Sequence, residues 1–202
     1  MRQVLIAVVL VMLGLSPAVS ESTASDPAAQ QVSRFYDALL AGMKGGKSLG
    51  TQGRYRKLEP AIEQTFDLPT MTKFAVGPSW STLSQADQQA LIRAFGRMTI
   101  ADYAKNFDSY DNQQFVVDPN VQTRGEDKVV SSKMVSGSSS TPFNYRMRQS
   151  GGSWKIVDIF LNGYVSELAT KRSDFAATIS SGGAPALTAK LNTLADNLLK
   201  EG

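Results

Sequence analysis

The apolar positions of this chain change period once, near Gln113, dividing it into a helical half and a half built of strands. In the first half, Val32, Phe35 or Tyr36, Leu39 and Met43 recur at helical spacing. Asp26-Pro27 starts that helix, with Asp as N-cap and Pro at the first helical position, and Gly45-Gly46 ends it. A second amphipathic stretch carries Tyr55, Leu58, Ile62 and Phe66, with Pro60 bending it or setting its start. Asp67 caps a short helix from about Leu68 to Val76, closed by Gly77-Pro78. Ser84-x-x-Asp87 is a capping-box pattern, and it opens a long helix through Leu91, Phe95 and Met98 toward Tyr103 and Phe107.

Beyond Gln113 come short runs of β-branched and aromatic residues: Phe115–Val117, Val121–Thr123, Lys128–Val135, Phe143–Arg148 and Trp154–Leu161. Asp118-Pro119-Asn120, Gly125-Glu126-Asp127, Gly137–Ser140 and Ser150–Ser153 separate them with turn compositions, which predicts an antiparallel meander. In the last run, simple alternation puts Trp154, Ile156 and Phe160 on one face and Val157, Ile159 and Leu161 on the other. A strand apolar on both faces needs cover on both sides, from a helix, a partner or a bound apolar ligand. Two helices close the chain, Val165–Ser180 and about Ala184–Lys200, the second with a stripe of Leu187, Leu191, Leu194 and Leu198. Helices, then strands, then helices is the α+β pattern, here with an antiparallel sheet of four to five strands. There is no internal repeat.

Met1–Ser20 stands apart from this pattern. It has one charge, Arg2, an apolar run from Val4 to Leu15, and the small-residue ending Ala18-Val19-Ser20. These are the marks of a signal peptide cleaved near Ser20, leaving 21–202 as a single exported unit. The competing reading, a membrane anchor, needs about 20 apolar residues, and this run is shorter.

Composition narrows the chemistry. The chain has 202 residues and 42% apolar content, enough for a sizeable core. Its formal charge of +3 falls to +2 once Arg2 is removed, too small a balance to argue for nucleic acid. The densest basic run, RYRK at Arg54–Lys57, reads as a solvated helix face. With no cysteine and no histidine, the chain has no disulfide, thiol nucleophile, Ser-His-Asp triad or thiolate metal site. No metal-ligand spacing, phosphate loop or cofactor motif replaces them. Asp158, inside an apolar strand, is the one suspicious acid. It is either a structural carboxylate, paired with Arg172 or Arg146 or with backbone, or a general base assisted by Tyr103 or Tyr145. The structural role is favoured.

Several weak motifs occur in a telling order: FDLPTM at Phe66–Met71, GPSW at Gly77–Trp80, DYAKNFDSY at Asp102–Tyr110, and WKIVDIFLNGYVSELATKRSDF at Trp154–Phe175. From about Pro27 onward the chain resembles the MlaC family of periplasmic phospholipid carriers. Within it the chain is most similar to the hopanoid-associated HpnM branch, because LNGYVSELATKRSDF replaces the IEGVSLVxNYRSQF type common in phospholipid carriers. The resemblance implies an NTF2-like layer of curved sheet and helix, a helical subdomain beside it, and a lipid cavity between them. It implies a shuttle that exchanges a phospholipid or hopanoid with an inner-membrane transporter complex and with a second membrane acceptor or donor. It also implies that Phe66, Met71, Phe74, Trp80, Phe95, Tyr103, Tyr145, Ile159, Leu161, Tyr164 and Leu168 line the cavity. A chain of about 16 carbons left in water costs on the order of 12 kcal/mol, so a carrier must enclose nearly all of it.

Overall fold

A computed structural model describes residues 26–200, and the segment expected to be a signal peptide, Met1–Ser20, lies outside them. Four helices and six strands follow in order: α1 Pro27–Thr65, α2 Leu68–Val76, a 3-10 segment Gly77–Thr82, α3 Gln85–Asn106, β1 Gln114–Val117, β2 Gln122–Arg124, β3 Asp127–Ser136, β4 Ser139–Ser150, β5 Ser153–Leu161, β6 Val165–Ser166 and α4 Glu167–Lys200. The architecture is α+β, with an open antiparallel sheet in the order β1-β3-β4-β5-β6 and β2 paired to β3 beyond β1. Helices and sheet share one contiguous core. Among the described residues no helix is long and apolar enough to cross a membrane.

The helix starts follow the sequence signals. The Asp26 carboxylate accepts from Ala28 N at 2.8 Å, and its other oxygen takes Lys128 Nζ at 2.5 Å, tying the start of α1 to β3. Ser84 accepts from Asp87 N at 3.1 Å. The Gly45-Gly46 stop becomes a break inside α1, where Gly46 (φ 48°) and Gly50 (φ 59°) leave helical geometry. Arg54 spans the break, donating to Gly46 O at 3.0 Å and to Ala104 O of α3 at 2.7 Å. At 3% exposure it is a buried clamp, not the solvated residue that the RYRK run suggests. Helical geometry needs its end carbonyls satisfied, and here a side chain supplies the donors. The two expected C-terminal helices are likewise one element bent at Gly183 (φ 64°).

Two departures occur around β5. A register shift opposite Arg146/Met147 pairs Arg146 with Asp158 and Met147 with Ile156, leaving Val157 as the extra residue of a bulge. The bulge resets the alternation. Trp154, Ile156, Ile159 and Leu161 therefore share the inner face with Phe143, Tyr145 and Met147, while Lys155, Asp158 and Phe160 face the other way. The second departure is that α4 starts at Glu167, not Val165. Val165 and Ser166 pair with Leu161 and Phe160 as a sixth strand. Farther along β5, where β6 does not reach, Asp67 N donates to Ile156 O at 2.9 Å and covers the sheet edge.

Candidate functional site

The inner face of the sheet is covered by α1 and α3. Phe35, 1% exposed, stands at the centre, edge-on to Phe66 at 5.1 Å and to Tyr103 at 5.4 Å. Tyr36 stacks on Phe115 at 4.3 Å, and Tyr103 stacks on Phe107 at 5.5 Å. Between these rings and the strands lies a mainly apolar cavity of about 170 Å³, whose wall includes Leu39, Tyr103, Phe107, Phe143, Tyr145 and Leu161. A smaller one of about 50 Å³, reached by Met71, Phe95, Met98 and Leu168, lies beside it. Tyr103, Ile159, Asp102 and Glu167 belong to both walls.

Hydroxyls punctuate the apolar lining. Tyr36 Oη lies 2.6 Å from Ser132 Oγ and 3.0 Å from Tyr145 Oη, and Ser132 Oγ donates to Phe143 O at 2.8 Å. Burial pushes the Tyr36 phenol up to about 12, against the opposing hydrogen bonds of Ser132 and Tyr145. Burial also holds Tyr103 and Tyr145 well above the ordinary phenol value. All three stay protonated and uncharged at ordinary pH, so the cavity presents hydroxyls and no phenolate base.

Asp158 is elsewhere. It sits on the outer face, opposite to Tyr145; Arg146 lies across from it in the register but bonds Asp127, and Arg172 bonds Phe74 O, so neither forms an ion pair with it among the described residues. Its carboxylate accepts from Ser166 Oγ at 2.7 Å, from Leu168 N at 3.2 Å and from Ile159 N at 2.8 Å. Ser166 Oγ in turn accepts from Ala169 N at 3.0 Å, so the pair caps the start of α4. Arg146 and Arg148 converge on Asp127 at 2.5 Å and 2.6 Å. Arg172 Nε donates to Phe74 O at 2.8 Å, across the turn where Gly77 (φ 72°) leaves α2. A Cβ at Gly77 would stand 3.2 Å from that arginine, so both backbone and space require glycine. An acid and a tyrosine on opposite faces of a sheet cannot act on one substrate.

Of the expected lining residues, Tyr103, Tyr145, Ile159 and Leu161 meet at the larger cavity, and Met71, Phe95 and Leu168 join Tyr103 and Ile159 at the smaller one. Phe74 lines a separate groove of about 330 Å³ on the outer side of β5, with Val157, Asp158 and Arg172. Phe66 and Trp80 line neither inner cavity: Phe66 is core, and Trp80 packs against the core from the 3-10 segment. Tyr164 is 79% exposed in the turn between β5 and β6, too far out to serve as a wall. Sequence reasoning missed Tyr36, Leu39, Phe115 and Phe143 as lining, and Asp102 and Glu167 altogether. Phe115 and Phe143 did carry a signal, since their strands had been recognised.

A mainly apolar cavity between a sheet and aromatic-bearing helices, with charged groups only along one side, has the geometry to take up an apolar molecule. The family follows from comparison: the model of the MlaC protein family matches residues 33–193, and the chain belongs to that family. It is also similar to the solved structure of a phospholipid-binding protein from Ralstonia solanacearum in complex with a phospholipid. The two share 26% identity at a TM-score of 0.75, over 86% of this chain and 99% of that one. No curated protein matches the chain.

Proposed function

We propose that this protein is an exported, periplasmic lipid carrier that encloses the apolar part of a phospholipid or hopanoid-type lipid between its sheet and α1 and α3. In this reading residues 1–20 are the cleaved signal peptide and 21–202 the single carrier unit, and the lipid passes between an inner-membrane transporter complex and a second membrane partner. The observation that carries it is the apolar inner cavity, in a chain of the MlaC family similar to a phospholipid complex. Size adds a requirement. A dry cavity of about 150 Å³ accepts a molecule such as benzene, and the larger cavity here is about 170 Å³. An acyl chain or a ring system therefore enters only if the walls part, and the joint between the two cavities at Tyr103 and Ile159 is the natural seam. The carrier would alternate between closed and open forms that donor and acceptor bias.

The test is organic extraction of protein purified from the periplasm without detergent, followed by lipid mass spectrometry. The expected result is a bound phospholipid or hopanoid in near-stoichiometric amount. Folded protein that carries no lipid, and gains no thermal stability from either lipid class, would refute the carrier reading.

A further inference from the structure

Three tyrosine hydroxyls meet at the larger cavity, and their protons can be counted. Each hydroxyl has one proton to give. Tyr36 gives its proton to Tyr145 Oη at 3.0 Å, while Ser132 has Tyr36 Oη at 2.6 Å and Phe143 O at 2.8 Å as acceptors. The Tyr145 hydroxyl accepts from Tyr36 and donates to nothing among the described residues, although Tyr145 is only 2% exposed. The Tyr103 hydroxyl makes no hydrogen bond among them. Both tyrosines line the cavity, and after burial the next influence on each phenol is another phenol: Tyr103 at Tyr145, and Tyr36 at Tyr103. Asp102, Asn106 and Glu167 line the same space, yet none accepts from either tyrosine, and Lys171 stands beside the two acids. A buried O–H without an acceptor works against the fold. This one borders the space that a ligand of the proposed carrier would fill.

Resting on the carrier reading above, we infer that the Tyr145 and Tyr103 hydroxyls form a subsite for the ester carbonyl of an acyl lipid, and that they favour ester-linked lipids over ether-linked ones. A carbonyl oxygen has two lone pairs and no proton, so it can accept from both hydroxyls at once. Tyr36 feeding Tyr145 polarises the O–H that Tyr145 presents, and dry surroundings strengthen the bond it makes. An ether analogue keeps the chains and the headgroup but lacks that carbonyl. It therefore leaves the donors unpaired, which is how a site built to hydrogen-bond rejects a near copy of its ligand. With the ester held there, the acyl chain runs past Ile159 toward Met71, Phe95 and Leu168 once the walls part.

The experiment incubates the purified protein with vesicles of diester and diether phosphatidylcholine in equal parts, matched in chain length, separates it by flotation, and quantifies bound lipid by mass spectrometry. Wild type should enrich the diester lipid at least about threefold, the scale of one net hydrogen bond. Tyr145→Phe and Tyr103→Phe should each bring the ratio toward one while total bound lipid persists. Equal uptake by wild type, the result if water alone fills the place at the hydroxyls, overturns the inference and leaves the carrier reading standing. A preference for the diether lipid does the same, as does a wild-type preference that either folded variant keeps. Uptake of neither lipid overturns the inference, and the carrier reading falls with it where a hopanoid is refused as well. Should Tyr145→Phe fail to fold, Tyr103→Phe, which removes no bond among the described residues, decides the matter.

Discussion

The two faces of the sheet are made from alternate residues of the same strands, yet they are stabilised by opposite means. On the outer face the main polar groups have defined partners: Arg146 and Arg148 on Asp127, Ser166 and Leu168 N on Asp158, and Asn144 on Gly163 O at 3.0 Å. On the inner face rings and aliphatic chains fit together incompletely, leaving cavities and a hydroxyl, that of Tyr103, without a partner among the described residues. Directional contacts fix the sheet's shape. Contact by surface area alone can be exchanged for contact with another apolar body. In the proposed carrier, binding falls to the face whose packing is the less specific.

The largest break in this comparison is expected at the centre of the inner face. Phe35→Ala removes a ring with no access to solvent, and should cost about 3–5 kcal/mol in urea unfolding. A loss under about 1 kcal/mol would mean that the helices hold the fold without the inner core. Next comes the outer face. Asp127→Ala leaves two guanidinium groups facing each other and should cost about 2–3 kcal/mol. Lipid content of the folded fraction should not change, and a parallel loss of lipid would show that the faces are not independent.

Acid should separate the faces further. Asp127 is held below the carboxylate range, first by the Arg148 hydrogen bond, against burial. Its contribution is complete above about pH 4 and disappears as pH falls through its lowered folded-state value. Asp102 and Glu167 are raised by burial, and Lys171, Asp158 and Asp174 also act on Glu167. Their charges disfavour the fold at neutral pH, and that cost is relieved as pH falls through their raised folded-state values toward the ordinary range. Stability should therefore rise slightly on mild acidification and fall only below about pH 4. Asp102→Asn with Glu167→Gln should flatten the rise, and Asp127→Asn should blunt the fall. A urea-midpoint profile that these variants leave unchanged would contradict the assignment.

The smallest effect is the most pointed. Tyr145→Phe breaks the contact with Tyr36 and should cost about 1 kcal/mol. Tyr103→Phe removes a hydroxyl that bonds to nothing among the described residues, and should leave stability within about 0.5 kcal/mol. Equal losses at the two tyrosines would mean that both hydroxyls serve the core.

What was legible in the sequence was local. Asp26-Pro27, Asp67 and Ser84 announced helix starts because a cap and the backbone N–H that donates to it lie within three residues. The five main strands were marked by composition and turns. The site was less legible, because one irregularity in β5 defeats counting by twos. Ile156 was assigned away from Ile159 and Leu161, and only the bulge at Val157 puts them together. Arg54 was misread because its acceptors, Gly46 O and Ala104 O, come from a helix break and from a separate helix. Asp102 and Glu167 lie far apart in sequence, each with ordinary helical neighbours, and only the packing of α3 beside the start of α4 makes them a pair.

The bulge also gives β5 an uneven tolerance for changes of length. Of its nine residues, only Val157 is surplus to the pairing with β4. Losing it would cost packing around Phe74 and Leu168, yet Ile156, Asp158 and Ile159 would keep their faces. Losing a residue from the part of β5 before the bulge, while the bulge stayed in place, would turn everything beyond the loss inside out. Asp158 would then point into the cavity beneath Tyr145. A carrier and an acid-floored pocket are separated here by one place in the count along a strand.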